Sequence, residues 1–411
     1  MLHMIFNSNY KPTHNGWILT LAILGFILSH NPVRAQETGV TFSGFVKTDM
    51  YQDTRNTVSA RDGQFMLFPM NKVLDEAGND INRNTQFNII AIQTRLLARI
   101  SGPDAFGART TGLVETAFFG SAEGNINTLR LRHAWVRLDW NKTSLLVGQT
   151  WHPLFIAQSF PGTVSFSTGA PFQAFSRNPQ VRLTRTAGPF TGLVAAVSQR
   201  DFTGPGGTAS LRNSAIPNLH AQLQVKAGDI LGGFGVDFKR LDIDPQTLDP
   251  VDSQSYFGFL NIPVGVITSK SYVIYGENLM DQTMLGGVAR SAVGSRVHPY
   301  QTLGLWHEFT TGFMGDADKT RYELALFTGY SKNLGTSGED VQVVPGYSRG
   351  ADVDHLYRIA PRFQVQSGSV RFSLETDITT AAYGTIQPDG AVSDAEPVTN
   401  VRLLLSAWLF F

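Results

Sequence analysis

The chain has no cysteine among its 411 residues. That excludes disulfides and thiolate metal centres, and it is compatible with an oxidising compartment. Charge is scarce too. Asp, Glu, Lys and Arg make up 16% of the chain, against about a quarter in ordinary soluble domains. The formal net charge is +0, so no basic field argues for nucleic acid, and no run of Lys and Arg is interleaved with aromatics. Beyond residue 35 no stretch approaches the roughly 20 apolar residues of a spanning helix. No repeat of about 20–50 residues points to a propeller or solenoid. P-loop and dinucleotide fingerprints are missing as well.

One early apolar run, residues 17–28, follows Lys11 and is too short to cross a bilayer as a helix. With Val33-Arg34-Ala35 behind it, it reads as a secretory signal peptide, residues 1–35, cleaved after Ala35. Loss of Lys11 and Arg34 takes the net charge from 0 to about −2. A buried or anchoring helix is the competing reading of that run.

Glycine (40) and phenylalanine (28) are abundant, and the apolar residues recur with a period of two. Residues 127–151 read as two strands joined by a turn at Asn141-Lys142. Ala134, Val136, Leu138 and Trp140 share one face; Trp135, Arg137 and Asp139 share the other. A strand with hydrocarbon on one side and water on the other needs this pattern. It returns in 40–51, where Val40, Phe42, Val46 and Met50 oppose Thr41, Ser43, Lys47 and Asp49. It is cleanest in 219–226, where His220, Gln222, Gln224 and Lys226 oppose Leu219, Ala221, Leu223 and Val225. Counted through to 401–411, such segments predict about sixteen strands, an even number within the range of single-chain bacterial barrels. The expected fold is all-β: a transmembrane antiparallel β-barrel forming one domain, residues 36–411.

The connections alternate in length. Asn141-Lys142, Ala187-Gly188, Ala227-Gly228 and Ser367-Gly368 are tight turns. Between them lie long polar segments at 53–86, 152–179, 201–216, 242–253, 278–298, 331–353 and 384–399. Outer-membrane barrels place short turns on the periplasmic side and long loops outside. Trp140 and Phe411 then fall near the periplasmic rim. The first strand begins a few residues past the cleavage site, which leaves no room there for a plug. The end of the chain forms an apolar row, Val401, Leu403, Leu405, Ala407, Leu409 and Phe411. A soluble sandwich would expose that row as an aggregation site, whereas a barrel closes it against the first strand. Phe411 also resembles the terminal signal read by the barrel assembly machinery.

Residues 44–53 (GFVKTDMYQD), Gln93-Thr94-Arg95, 129–135 (LRLRHAW) and 146–151 (LVGQTW) resemble DcaP-like porins of Gram-negative outer membranes and, more loosely, general porins. The resemblance implies a sixteen-stranded barrel, usually a homotrimer in outer-membrane lipid, whose third long loop folds into the lumen. It implies passive uptake of small hydrophilic, preferentially anionic solutes, with no cofactor. Here the third loop is 152–179, and Phe155, Phe160, Phe166, Phe172 and Phe175 make it unusually rich in Phe as a constriction. The helical extension of some members, ahead of the barrel, is not seen between residue 36 and the first strand.

By alternation the basic lumen positions are Lys47, Arg95, Arg99, Arg182, Arg321, Arg358, Arg362 and Arg371. Arg130 and Arg132 join them only if a β-bulge near His133 shifts the register; otherwise each would cost about 2–4 kcal/mol near the bilayer midplane. The acidic lumen positions are Asp49, Glu115, Glu308, Glu323, Glu375 and Asp377. One reading is an electrostatic filter, an Arg ladder on one wall facing carboxylates opposite. The plainer one is that any water-filled lumen needs polar residues. Enzyme signals are poor. Gly346-Tyr347-Ser348-Arg349-Gly350 matches G-x-S-x-G but lies in a polar loop, without the strand–turn–helix setting of a nucleophile elbow. Asp352, Asp354 and His355, and Asp242, Asp244, Asp249 and Asp252, lack the ligand order of an EF-hand, so no catalytic or metal site is expected. An outer-membrane hydrolase of phospholipase type and a structural or adhesive barrel stay open as alternatives to a porin.

Overall fold

The computed structural model describes residues 38–316 and 318–411; the expected signal peptide and its cleavage after Ala35 lie outside the described residues. Seventeen strand segments make one antiparallel sheet. Two of them, Gln86–Ile90 and Arg95–Ser101, pair in succession with the same strand, Gly39–Asp53, and are halves of one strand broken at 91–94. The barrel therefore has sixteen strands. It closes where Gly39–Asp53 pairs with Val392–Phe410, from Phe45↔Phe410 to Asp53↔Arg402. Closure satisfies every strand edge, which is what a sheet surrounded by hydrocarbon requires. No helix among the described residues is long and apolar enough to cross a membrane.

The burial pattern is inverted relative to a soluble protein. Phe42, Val46, Leu131, Val136, Phe234 and Leu405 are exposed on the outer face, while Lys47, Asp49, Arg132, Glu308 and Arg362 are buried inside. Alternation puts hydrocarbon-facing and lumen-facing side chains in neighbouring positions of each strand. The tight turns end strands at Ala187, Ala227 and Ser367. Gly188, Gly228 and Gly368 have φ near +54 to +60, the left-handed conformation such turns need.

The bulge is present. The register of strand Arg109–Phe118 against Leu129–Asp139 shifts after Glu115↔His133, so that Thr116 pairs with Leu131 and Arg132 is the extra residue. Arg130, Arg132 and His133 all turn inward while Leu131 and Val136 stay outside. The Gln149 amide donates to the carbonyls of Leu131 (3.4 Å) and Arg132 (3.2 Å), which occupies acceptors at the bulge.

Two expected loops turn out differently. Segment 53–86 is not simply a polar outer loop. It contains a hairpin, Thr57–Ala60 with Phe65–Pro69, and Phe65, Met66, Leu67 and Phe68 are buried. Its apolar tetrapeptide needs cover, and the lumen supplies it. Segment 384–399 is mostly strand: Val370–Ile386 and Val392–Phe410 continue their ladder out to Ile386↔Val392.

Candidate functional site: the barrel lumen

The third loop leaves the wall at Trp151 and crosses to the far side. Its first residues stack on the wall it leaves, with Trp151 and Phe155 rings 4.0 Å apart. It then reaches the strands opposite. The Tyr272 hydroxyl donates to the Leu154 carbonyl (3.0 Å), and the Trp306 indole donates to Gln173 (2.8 Å). Phe172 lies on Gly304 and Gly329. A Cβ at Gly329 would sit 2.4 Å from the Phe172 ring, so glycine on this wall makes the space for the loop's phenylalanine.

Charge fixes the loop tip. Glu308 accepts the Gly162 N–H at 2.7 Å. Glu375 accepts the N–H groups of Val164 (2.7 Å) and Ser165 (2.8 Å). The Lys47 ammonium donates to the Val164 carbonyl at 2.8 Å. Phe155, Phe166, Phe172 and Phe175 are buried, whereas Phe160 is 39% exposed. The first-loop hairpin completes the packing. Phe65 contacts Phe166 and Phe175, Arg358 donates to the Leu67 carbonyl at 2.8 Å, and Tyr383 donates to the Pro69 carbonyl at 2.7 Å.

Every basic position assigned to the lumen lies on the inner side, but the inner side is not uniformly wet. Lys47, Arg132, Arg358 and Arg362 are buried. Lys47 pairs with Asp49 (3.1 Å) and Arg132 with Glu115 (2.5 Å). Arg362 bridges Glu308 (2.7 Å) and Glu323 (2.8 Å). Arg358 is spent on Thr379, Ser167 and two loop carbonyls. These four groups hold loops and wall together and do not face an open water path, which corrects their assignment as pore-lining. Nor are arginines ranged on one wall with carboxylates opposite: in the pairs Arg132–Glu115 and Arg362–Glu323 the partners sit on adjoining or nearby strands. Sequence alternation tells in from out, but it cannot tell which inward groups meet a partner.

Water still reaches the others. Arg99 is exposed, and Arg95, Arg130, Arg182, Arg321 and Arg371 are half-buried. Arg182 is oriented by Gln180 (2.9 Å) and the Trp151 carbonyl (2.7 Å). It borders a hollow of about 90 Å³ shared with Trp151, Phe155, Gln222 and Gln224. Arg371 lies over the rings of Phe313 (4.5 Å) and Phe410 (4.7 Å). The acidic set differs: Asp49, Glu308, Glu323, Glu375 and Asp377 are all buried, and Glu115 alone is half-buried. Above the lumen, Glu123 joins the first two loops by accepting the N–H groups of Arg61 (2.6 Å) and Asp62 (2.8 Å). Partial burial raises its pKa, but the N–H donors of Asp62 and Arg61 and the Arg61 charge outweigh it, and the net shift is downward.

Sequence reading missed an outward-facing Ser–His contact. Ser271 Oγ lies 2.7 Å from His307 Nδ1, and Nε2 of the same ring faces Ser269 Oγ at 3.4 Å. Both hydrogen bonds of that imidazole go to serines, so among the described residues no carboxylate or Asn orients it as a triad would need. Ser348 of the G-x-S-x-G segment sits in a two-residue strand against Gly287. Asp354 pairs with Lys332 (3.1 Å) and His355 (2.6 Å). Among the described residues no cluster of three potential ligands can hold a metal ion.

The fold and the lumen define a class, the closed sixteen-stranded outer-membrane β-barrel with loops packed inside. Comparison with solved structures agrees. The chain is similar to the outer membrane channel DcaP of Acinetobacter baumannii, with 16% identity and a TM-score of 0.67 over 93% of this chain and 100% of that one. It is also similar to OmpT of Vibrio cholerae, with 12% identity and a TM-score of 0.51 over 93% and 100% of the two chains. At such identities what is shared is the fold. No family model and no curated protein matches the sequence. The resemblance to DcaP-like porins read from 44–53, 93–95, 129–135 and 146–151 is thus matched by a likeness of fold over the whole barrel.

Proposed function

We propose that the protein is a porin, a water-filled barrel through which small hydrophilic solutes diffuse passively, with a preference for anions. Sixteen strands support an aqueous channel, since barrel diameter grows with strand number and about eight already suffice to be filled by side chains. The preference rests on one observation. Of the inward charges assigned from the sequence, the acidic groups are nearly all consumed by ion pairs and loop anchors, while Arg99, Arg182, Arg321 and Arg371 keep contact with water. Guanidinium groups stay ionised and offer a planar fork to carboxylates and phosphates. In about 0.1 M salt, charges within a Debye length of roughly 10 Å act together on an ion in transit. The loop at 152–179 is the constriction in this reading, and the working unit is a homotrimer inserted by the barrel assembly machinery.

Planar-bilayer recording in a KCl gradient tests this. The wild-type zero-current potential should show anion preference, and Arg99→Gln with Arg182→Gln should move it toward cation selectivity. A folded double variant with an unmoved potential refutes the assignment of these arginines. A folded barrel that never conducts refutes the porin reading in favour of a structural or adhesive barrel. The Ser271–His307 contact is the specific observation behind a hydrolase reading, and phospholipid hydrolysis abolished by Ser271→Ala would establish it instead.

A further inference from the structure

A charged hollow of about 420 Å³ opens at the rim of the barrel that carries the long loops. Arg61, Arg130, Arg200 and Asp201 line it, above outward-facing Leu131 and Gln149. Three guanidinium groups thus face one carboxylate, and that carboxylate is already divided. Asp201 pairs with Arg130 and with Arg177, the latter at 2.8 Å. Arg61 has a partner at 3.5 Å in Glu123, whose side chain is 62% exposed. Arg200 is exposed, its N–H held by Asn178 at 2.7 Å, and no ion pair with another described residue engages its side chain. The hollow therefore carries surplus positive charge.

The neighbourhood indicates the occupant. Leu131 is 46% exposed and belongs to the hydrocarbon-facing row. A hollow whose upper wall is guanidinium and whose lower edge is lipid-facing leucine suits a molecule with an anionic head and an apolar tail. We propose that this cleft holds the phosphate head group of an outer-leaflet lipid. Arg200 and Arg61 grip the phosphate oxygens. Charge-assisted Arg–phosphate hydrogen bonds are among the stronger polar contacts. A freely diffusing phosphate would gain the guanidinium contacts but nothing from the leucine edge.

The test uses the full protein purified in zwitterionic detergent and titrated with diphosphoryl lipid A. Arg200→Gln should weaken binding several-fold and Arg200→Glu at least tenfold. Conductance and heat-modifiable gel mobility should stay at wild-type values in both, because Arg200 lines neither the lumen nor the sheet. Equal lipid binding by folded wild-type and Arg200→Glu protein overturns the proposal. Displacement of the lipid by an equimolar amount of inorganic phosphate also overturns it, and makes the hollow a free-anion site. Failure of phosphate to compete, with loss of lipid binding in both variants, supports the lipid assignment.

Discussion

Replacing Glu375 with alanine removes two charge-assisted acceptors from the tip of the third loop, those of the Val164 and Ser165 N–H groups at 2.7 and 2.8 Å. Hydrogen bonds to a charged group are each worth about 1.5–3 kcal/mol. Two of them give about 3 kcal/mol at the lower end, which applies because water can enter the space left by the side chain. At 1.4 kcal/mol per tenfold, the local opening equilibrium of the tip should rise by roughly a hundredfold. The loop is not set free outright, since Gly162 keeps Glu308 (2.7 Å) and Lys47 keeps the Val164 carbonyl (2.8 Å). The barrel should persist, because Val370–Ile386 is held to its neighbours by backbone ladders on both sides. Amide hydrogen exchange of the purified protein reads the effect directly: Val164 and Ser165 should exchange about a hundredfold faster, with greater current noise in single channels. Glu375→Gln keeps one carbonyl acceptor and should lose roughly half as much free energy. A folded Glu375→Ala barrel with wild-type protection at residues 162–168 would show that apolar packing alone seats the loop, and the reasoning would fail.

Gly329→Val should force the Phe172 ring out of its seat, since even a Cβ would lie 2.4 Å from it; overpacking of this kind costs about 1–3 kcal/mol. A lowered melting temperature, largely restored by adding Phe172→Ala, is the expected result, and no rescue would place the clash elsewhere. Deleting Phe411 removes the reciprocal bonds Gly44 N–H to Phe411 (2.9 Å) and Phe411 N–H to Gly44 (3.2 Å). Outer-membrane yield should fall, and normal yield would count against a role for the last residue in assembly. Intact-mass measurement of the exported protein should match a chain beginning at Gln36; a mass retaining Met1 would rule out the signal peptide.

The barrel was legible because its cause is local. A lipid-facing strand must alternate at period two, and a tight return needs glycine or asparagine, so strand number and the in-or-out sense of each side chain follow from short windows. The bulge at Arg132 was legible for the same reason: two inward arginines on 129–132 and an apolar face on 134–138 cannot share one register. The hairpin in the first loop was not, because Phe65-Met66-Leu67-Phe68 is a strand signal only once a cavity exists to bury it. Neither was the Ser271–His307 contact, which joins two strands whose pairing is settled by the sheet register.

The sequence by itself determined that the chain makes an inside-out barrel and which arginines point inward. Which of those arginines meet water was decided by tertiary structure alone. Arg362 and Arg182 have the same alternation and the same charge, yet Arg362 is locked between Glu308 and Glu323, while Arg182 borders an open hollow. The difference comes from the loops that cross the lumen and from cross-strand partners tens to hundreds of residues away. An ion pair depends on distance in space, and distance in space is fixed only when the barrel closes.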